Sequence, residues 1–245
     1  MKFDFKKLLL PFVVAVIACI AVFSGIKLHS VKRQAETAVS IIKADGEKYA
    51  LDSIKQLIVV YNDYPEETSA TLVALENNGI SWSVKFGPLK AHIGRDGFAS
   101  PGMKREGDEK TPTGLFALKR MFSYDPDVKT GLSFTQTTSA DKWVDDPESD
   151  CYNEHVRGDT DARSFEKLLL GSDAYKYCVV IEYNTDPVVK GMGSAIFFHL
   201  GDGPTSGCVD INERMMKKIL KWLSVDLNPH ILMGSKTVLL TKAGN

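Results

Sequence analysis

Apolar residues form one long block near the start of this chain and only later fall into short runs. The block extends from Leu8 to Ile26 and is interrupted only by Pro11, Ser24 and Gly25. About 20 apolar residues suffice to cross a bilayer, and the lysines before the block favour a cytoplasmic N-terminus. The pattern predicts a cytoplasmic tip and transmembrane anchor over residues 1–28, with a cleaved signal sequence as the alternative. Either way, the rest of the chain is expected outside the cytoplasm.

The segment after the block mixes apolar and polar residues at helical spacing. Its apolar members are Ala35, Ala38, Val39, Ile41 and Ile42. This spacing predicts a helical stalk over residues 29–56, between the anchor and a folded domain at residues 57–245.

Short β-type runs bounded by turn residues dominate the sequence from Leu57 onward. Asn77-Asn78-Gly79 is a hairpin signal between two runs, and the stretch 94–112, rich in Gly, Lys and Asp, is predicted to be a long loop of functional interest. The domain is therefore predicted to be mainly β, with a short helix at 163–170 and another that begins after Cys208. The predicted strands are 57–61, 71–75, 81–86, 89–93, 115–122, 178–183, 195–200, 230–233 and 237–240.

A helix-start signal follows Cys208. Asp210 precedes Glu213 by three residues, the spacing of a capping box, and Met, Ile and Leu side chains then recur at helical spacing to about Ser224. Asp210 is therefore predicted to be the helix N-cap. The helix dipole would favour a thiolate at Cys208, whereas the nearby Asp210 carboxylate would oppose it.

Charge and cysteine content narrow the functional classes. Without its first 26 residues, which contain three lysines and one aspartate, the chain has 27 basic and 30 acidic side chains. This small acidic excess, without a cluster of basic and aromatic residues, argues against a nucleic-acid partner. Beyond the anchor, Cys151 and Cys178 could form a disulfide in an oxidising compartment or remain two buried thiols.

Cys208 and His199 form the strongest candidate site. His199 ends an apolar run, and Cys208 follows a Gly-rich turn with eight residues between the two. A thiol attacks carbonyls as the thiolate, and a neighbouring imidazole can take its proton while backbone amides stabilise the oxyanion. The main-chain amides of Ser206, Gly207 and Cys208 are the candidate oxyanion hole. Such a pair is more often a packing feature than a catalytic one, so by itself it leaves both interpretations open.

Metal chemistry and the remaining histidines are weaker candidates. The sequence contains no C-x-x-C and no H-E-x-x-H motif, so neither a metal site nor a cofactor is predicted. His92, His155 and His230 are isolated in the sequence and are predicted to be structural or at the surface.

Four stretches occur in an order that points to a family. They are KREGDEKTPTGLF at Lys104 to Phe116, WVDDPESDCYN at Trp143 to Asn153, IEYNTDPVVKGMGSAIFFH ending at His199, and TSGCVD around Cys208. Together they resemble the YkuD-type L,D-transpeptidase domain, over roughly residue 81 to the C-terminus. That family usually has S-H-G-C, one variable residue, and then Arg or Asn. Ser206 stands here at the second histidine and Asp210 at the Arg or Asn, which marks a divergent member.

The resemblance implies a β-sandwich-like catalytic domain with a few short helices and without metal or cofactor. Cys208 would attack the carbonyl after the third residue of a peptidoglycan tetrapeptide stem, with loss of D-alanine, and His199 would act as base and then as acid. The acyl group would pass to an amine, giving a 3-3 crosslink, or to water. A main-chain carbonyl near Leu200 or Gly201 would orient the imidazole.

The resemblance also implies binding residues, partners and a location. Lys104, Arg105 and Tyr183 are expected to bind substrate. Lys104 and Arg105 are on the loop that the family places near the cleft, where the alternative for both is a solvated surface charge. Peptidoglycan stem peptides are the expected partner from the resemblance, and the cytoplasmic membrane is the expected partner from the N-terminal apolar block, with the catalytic domain on the outer side of that membrane. Two other functions stay open: a non-catalytic wall-binding module, and an amidase or carboxypeptidase that uses the same cysteine.

Overall fold

The computed structural model describes residues 28–44 and 51–241 of the chain. The predicted anchor, apart from its last residue, lies outside the described residues. Among the segments that are described, no helix combines the length and the apolar character needed to cross a bilayer. Residues 28–44 form helix α1, within the segment predicted as a helical stalk, and the rest of the described chain is mainly β, as predicted.

Thirteen strands and two further helices follow within residues 51–241. The strands are β1 (Gln56–Asn62), β2 (Ser69–Asn77), β3 (Trp82–His92), β4 (Gly114–Ala117), β5 (Arg120–Ser123), β6 (Ser133–Gln136), β7 (Asp141–Val144), β8 (His155–Arg157), β9 (Phe165–Lys167), β10 (Tyr177–Val180), β11 (Phe197–Leu200), β12 (Val209–Ile211) and β13 (His230–Ser235). The helices are α2 (Glu213–Trp222) and α3 (Lys236–Leu239), and short 3-10 turns occupy Leu51–Ser53 and Val225–Leu227.

Ten of these strands form one mixed sheet in the order β4-β13-β1-β2-β3-β12-β11-β10-β5-β6, and β8-β7-β9 form a second, smaller sheet. Only Leu118 and Lys119 connect β4 to β5, so Ala117 and Arg120 lie within about 11 Å of each other. In a flat sheet those strands would be separated by eight spacings, or about 38 Å. The large sheet must therefore curl until its two ends approach.

Strand β1 is buried on both faces, which explains its continuous apolar sequence. Ile58 and Val60 belong to the main core, together with the apolar stripe of α2. Leu57 and Val59 project to the other face, into a cluster that contains Ile41 of α1. Helix α1 therefore packs directly against the sheet.

The hairpin at 77–79 is confirmed, because that turn joins the antiparallel strands β2 and β3. Asn77 Oδ1 accepts a hydrogen bond from the Gly79 amide at 2.8 Å, and Gly79 has a φ of +91°, where glycine is favoured. The predicted strands 81–86 and 89–93 are a single strand, β3. The predicted strand 115–122 divides into β4 and β5, at different ends of the sheet order.

Two predicted elements are wrong. Residues 163–170 contain strand β9 instead of a helix, because Phe165 pairs with Val144 of β7 and its neighbours continue that ladder. Residues 237–240 belong largely to helix α3 instead of a strand. The β1–β13 ladder ends at the pair Asn62 and Ser235, so no strand partner remains, and the Ser235 hydroxyl caps the new helix by accepting from the Val238 amide.

The predicted N-cap of α2 is also wrong. The cap is Asn212, whose side chain accepts from the Met215 amide at 3.1 Å. Asp210 is instead a strand residue of β12 with 2% of its surface exposed. The helix itself is confirmed and ends at Trp222, two residues before the predicted end.

The open question about the cysteines is also answered for the part of the chain described. Cys151, Cys178 and Cys208 are all free thiols, so no disulfide joins the first two. Cys178 is fully buried and packs in one apolar cluster with Cys208, between the large sheet and the small one.

Candidate active site

A cavity of about 580 Å³ opens where β11 and β12 meet the loop that follows β3, and both His199 and Cys208 line it. A larger groove of about 840 Å³, between α1 and the strands β1 to β3, contains neither side chain. The parallel pairing of β11 with β12 brings the two residues together, since His199 is in register with Asp210, two residues after Cys208. The structure therefore places the two predicted residues in one cleft.

The Cys208 thiol is embedded in the cleft wall, with 6% of the residue exposed. The Phe197 amide donates to Sγ, and Sγ donates to the Ala195 carbonyl oxygen, both at 3.3 Å. Burial raises the pKa of the thiol well above its usual range, and the nearby Glu166 carboxylate raises it further. The resting sulfur is therefore a neutral thiol, and attack on a carbonyl requires a base.

The His199 imidazole is arranged to be that base. Its Nδ1 lies 2.8 Å from the Leu200 carbonyl oxygen, and because a carbonyl only accepts, Nδ1 carries the hydrogen. Nε2 is then the nitrogen able to take a proton. Burial lowers the pKa of His199, which keeps the ring neutral near pH 7. The Leu200 oxygen matches the main-chain carbonyl expected to orient the ring, and the Tyr175 ring packs edge-on at 5.2 Å.

The turn before Cys208 depends on a glycine. Gly207 has a φ of +143°, and a Cβ at this position would lie 3.0 Å from the Lys110 carbonyl oxygen. Its amide donates to Thr205 Oγ1 at 3.1 Å, so it is already engaged in this structure. The role of the Ser206, Gly207 and Cys208 amides as an oxyanion hole stays a prediction.

Two threonines that sequence reasoning missed hold the main chain of Cys208. Thr205 Oγ1 donates to the Cys208 carbonyl oxygen at 2.7 Å, and Thr111 Oγ1 donates to the same oxygen at 3.3 Å. Both threonines belong to stretches that carry the family resemblance, TPTG and TSGC, and this position in the motifs is the signal that could have identified them. They link the loop 94–112 to the cysteine turn.

Thr205→Val is expected to slow thiol acylation about tenfold, because it removes the stronger of these bonds and leaves the Gly207 amide without its acceptor. The rate of covalent modification by a carbapenem, followed by intact-protein mass spectrometry, measures this effect. Thr130→Val is the matched control, since its hydroxyl also accepts a backbone amide, from Leu132, but lies outside the cleft. Equal rates for the two variants would contradict the assigned role of Thr205.

The three predicted substrate-binding residues have different positions. Lys104 lines the cleft, but it is 4% exposed and its ammonium donates to the Asp108 carboxylate and to the Arg105 carbonyl oxygen. Arg105 lies outside the cleft lining, and its guanidinium donates to main-chain oxygens of its own loop. Tyr183 also lies outside it, with its hydroxyl donating to the Met192 carbonyl oxygen. Their roles in binding substrate stay predictions.

Carboxylates that sequence reasoning did not select line one wall of the cleft: Glu106, Asp145 and Glu166. Burial raises the pKa of Glu166 to about 7, and the Tyr175 hydroxyl donates to its Oε2. Glu106 Oε2 accepts from the Tyr152 and Ser194 hydroxyls. These carboxylates make this wall suited to a group that carries positive charge. Across residues 28–44 and 51–241, no group of three or more His, Cys, Asp or Glu side chains is arranged to hold a metal ion.

Comparison with known protein families agrees with the motifs. A family model described as the YkuD L,D-transpeptidase catalytic domain matches residues 57–238. Among solved structures, the helical cell shape determining protein Pgp2 from Campylobacter jejuni is similar at 15% identity and a TM-score of 0.38. That match covers 76% of this chain and 52% of the Pgp2 chain. No curated protein matches the sequence.

Proposed function

Because the chain belongs to the YkuD family of L,D-transpeptidase catalytic domains, we propose that it is a cysteine-dependent L,D-transpeptidase acting on peptidoglycan stem tetrapeptides. The observation that carries this proposal is the shared cleft of Cys208 and His199, in which the imidazole presents Nε2 for a proton. A packing role alone would not require an open cavity beside both groups.

In the first half-reaction, Cys208 Sγ forms a bond to the carbonyl carbon of the third stem residue while His199 Nε2 accepts the thiol proton. The carbonyl oxygen becomes an oxyanion, which backbone amides of the cysteine turn would stabilise. The C–N bond to the terminal D-alanine then breaks, and His199 returns its proton to the leaving amine. A thioester on Cys208 remains.

In the second half-reaction, an amine of another stem attacks the thioester carbon and gives its proton to His199. The C–S bond breaks, the sulfur regains the proton, and a 3-3 crosslink is released. The carboxyl side chains of Glu106, Asp145 and Glu166 in the cleft lining support an amine acceptor, which they would attract as an ammonium and which would lose one proton to solvent before it attacks as the neutral amine. Water in place of the amine would give carboxypeptidase activity.

The proposal extends to location. The apolar block Leu8 to Ile26, within the predicted anchor at residues 1–28, would hold the protein in the cytoplasmic membrane, with α1 and the catalytic domain on the outer side, where stem peptides occur. Residues 57–245 would form the catalytic domain, and 29–56 the segment that connects it to the membrane.

Incubation of the full chain with tetrapeptide muropeptides tests this function. We expect D-alanine release, together with the mass of a crosslinked dimer, as the product of transfer. Release of D-alanine with tripeptide as the sole other product would instead identify a carboxypeptidase. Muropeptides that stay intact but bind to the folded protein would favour a non-catalytic wall-binding module and contradict the proposal.

A further inference from the structure

A buried aspartate and a histidine extend the candidate site in a direction that the cysteine and its base do not explain. His199 of β11 is in register with Asp210 of β12, and Asp210 is in register with His92 of β3. Residues in register on neighbouring strands point to the same face of a sheet, about 5 Å apart. The three side chains therefore form one row across three adjacent strands.

The Asp210 carboxylate is held from two sides. His92 Nδ1 lies 2.7 Å from Oδ1, and the two side chains are 11% and 3% exposed. Oδ2 lies against the Cα of Gly201, where any Cβ would collide with it. Gly201 follows His199 by two residues. The end of β11 therefore contains the candidate base and is followed directly by the glycine that leaves room for the Asp210 carboxylate.

Asp210 also lines the same cleft as His199 and Cys208. Its negative charge favours a protonated imidazole at His199 and disfavours a thiolate at Cys208. Asp210 is the register partner of His199 across the two strands, whereas Cys208 precedes β12 and lies two residues before Asp210 in the chain. The interaction with His199 is the one that assists transfer of the proton from sulfur to nitrogen, because it favours the imidazolium.

We propose that Asp210, fixed by its hydrogen bond from His92, acts on the base His199 as a second positioning residue beside the Leu200 carbonyl oxygen, and stabilises the imidazolium that forms when Cys208 attacks. This inference rests on the proposed function. Asp210, which stands where the family usually has Arg or Asn, would then have a role in the reaction. His92, which the sequence predicted to be structural or at the surface, would support the site by holding Asp210.

The ionisable groups around the His199 ring influence its pKa. Tyr175, before β10, packs its ring against the imidazole, and burial raises the pKa of its hydroxyl, which keeps it neutral. Cys208 is likewise neutral at rest. Glu166 of β9 lies beyond Tyr175, bonded to its hydroxyl. Asp202, Arg95 and Lys104 line the same cleft, but Asp210 is the charged group that raises the pKa of His199, so its removal is expected to lower that pKa.

The test is a pH titration of His199 in the intact protein, followed by NMR of its ring protons, with the signal assigned by its loss in His199→Asn. In Asp210→Asn we expect the midpoint to fall by roughly one pH unit. The rate of acylation by a carbapenem should also drop about tenfold, with its acid limb moved to lower pH. The inference would be overturned if Asp210→Asn left the His199 midpoint unchanged and the acylation rate within twofold of that of the original protein.

Asp141→Asn is the matched control. Asp141 is a second buried aspartate, with Oδ1 2.7 Å from His155 Nε2, but it lies in the small sheet and outside the cleft lining. It should lower the melting temperature without moving the His199 midpoint. If Asp210→Asn behaves in the same way, the His92–Asp210 pair is structural only.

Two further measurements cover the cases in which Asp210→Asn does not fold or the original protein is not acylated. If Asp210→Asn does not fold, the double variant His92→Leu/Asp210→Val replaces the pair as a whole, which buried pairs often tolerate, and the same fall in midpoint is expected. If the original protein is not acylated at Cys208, the proposed function fails. The NMR midpoint still decides whether Asp210 acts on His199, because it requires no turnover.

Discussion

Replacing Cys208 by alanine is expected to abolish both carbapenem acylation and D-alanine release, with a loss of at least about a thousandfold. In the proposed reaction the sulfur forms the bond to the substrate carbon, and no other thiol lines the cleft in the described part of the chain. The variant should fold, because Ala fills most of the small buried site and the main chain of the turn keeps its bonds to Thr111 and Thr205.

Intact-protein mass spectrometry after incubation with a carbapenem measures the adduct, and chromatography of muropeptides measures D-alanine release. Cys151→Ser is the matched control, since Cys151 is a half-buried thiol outside the cleft and its loss should leave both activities in place. An adduct that persists in folded Cys208→Ala, or D-alanine release at the original rate, would rule out Cys208 as the nucleophile.

Replacing His199 by alanine is expected to lower the acylation rate about a thousandfold at pH 7 and to change the shape of the pH profile. Burial raises the pKa of the Cys208 thiol, so without the imidazole almost no thiolate exists at neutral pH. The rate of the variant should rise steadily with pH, because only increasing ionisation of the thiol supplies the nucleophile.

In the original protein, the acylation rate should instead show an acid limb that reflects the titration of His199. Burial lowers the pKa of His199, so the base stays neutral as the pH falls through 6.5, and the acid limb of the profile should have its midpoint below that value. Acylation rates, measured from reactions quenched at set times over a series of pH values, give both profiles. His230→Asn is the control, because His230 lies outside the cleft with Nδ1 bonded to the Asn228 carbonyl oxygen. An acid limb that survives unchanged in His199→Ala would assign it to another group.

The candidate pair was visible in the sequence because the signals for it are local. An apolar run that ends in His199, a glycine turn, and a cysteine directly after it are read from 17 consecutive residues, and the family motifs added the chemistry. The residues that support the pair were not visible in this way. Thr111 lies 97 positions before Cys208, and His92 lies 118 positions before Asp210. The TPTG motif marks Thr111 as a residue of interest, but neither it nor the sequence around His92 indicates which distant residue each one contacts.

The sequence by itself determined the mainly β domain, the strand β1, the hairpin at 77–79 and the helix α2, and it selected the candidate pair of cysteine and histidine, since alternation, turn chemistry and helical spacing depend on neighbouring residues. Only the tertiary structure decided that 163–170 contains a strand and that 237–240 is largely helical. It also decided that Asp210 is a buried strand residue in register with His199 and not the N-cap of α2. Each of these outcomes depends on which strand lies alongside. A strand is completed by hydrogen bonds to a distant segment, and a buried carboxylate is stable where a distant donor reaches it.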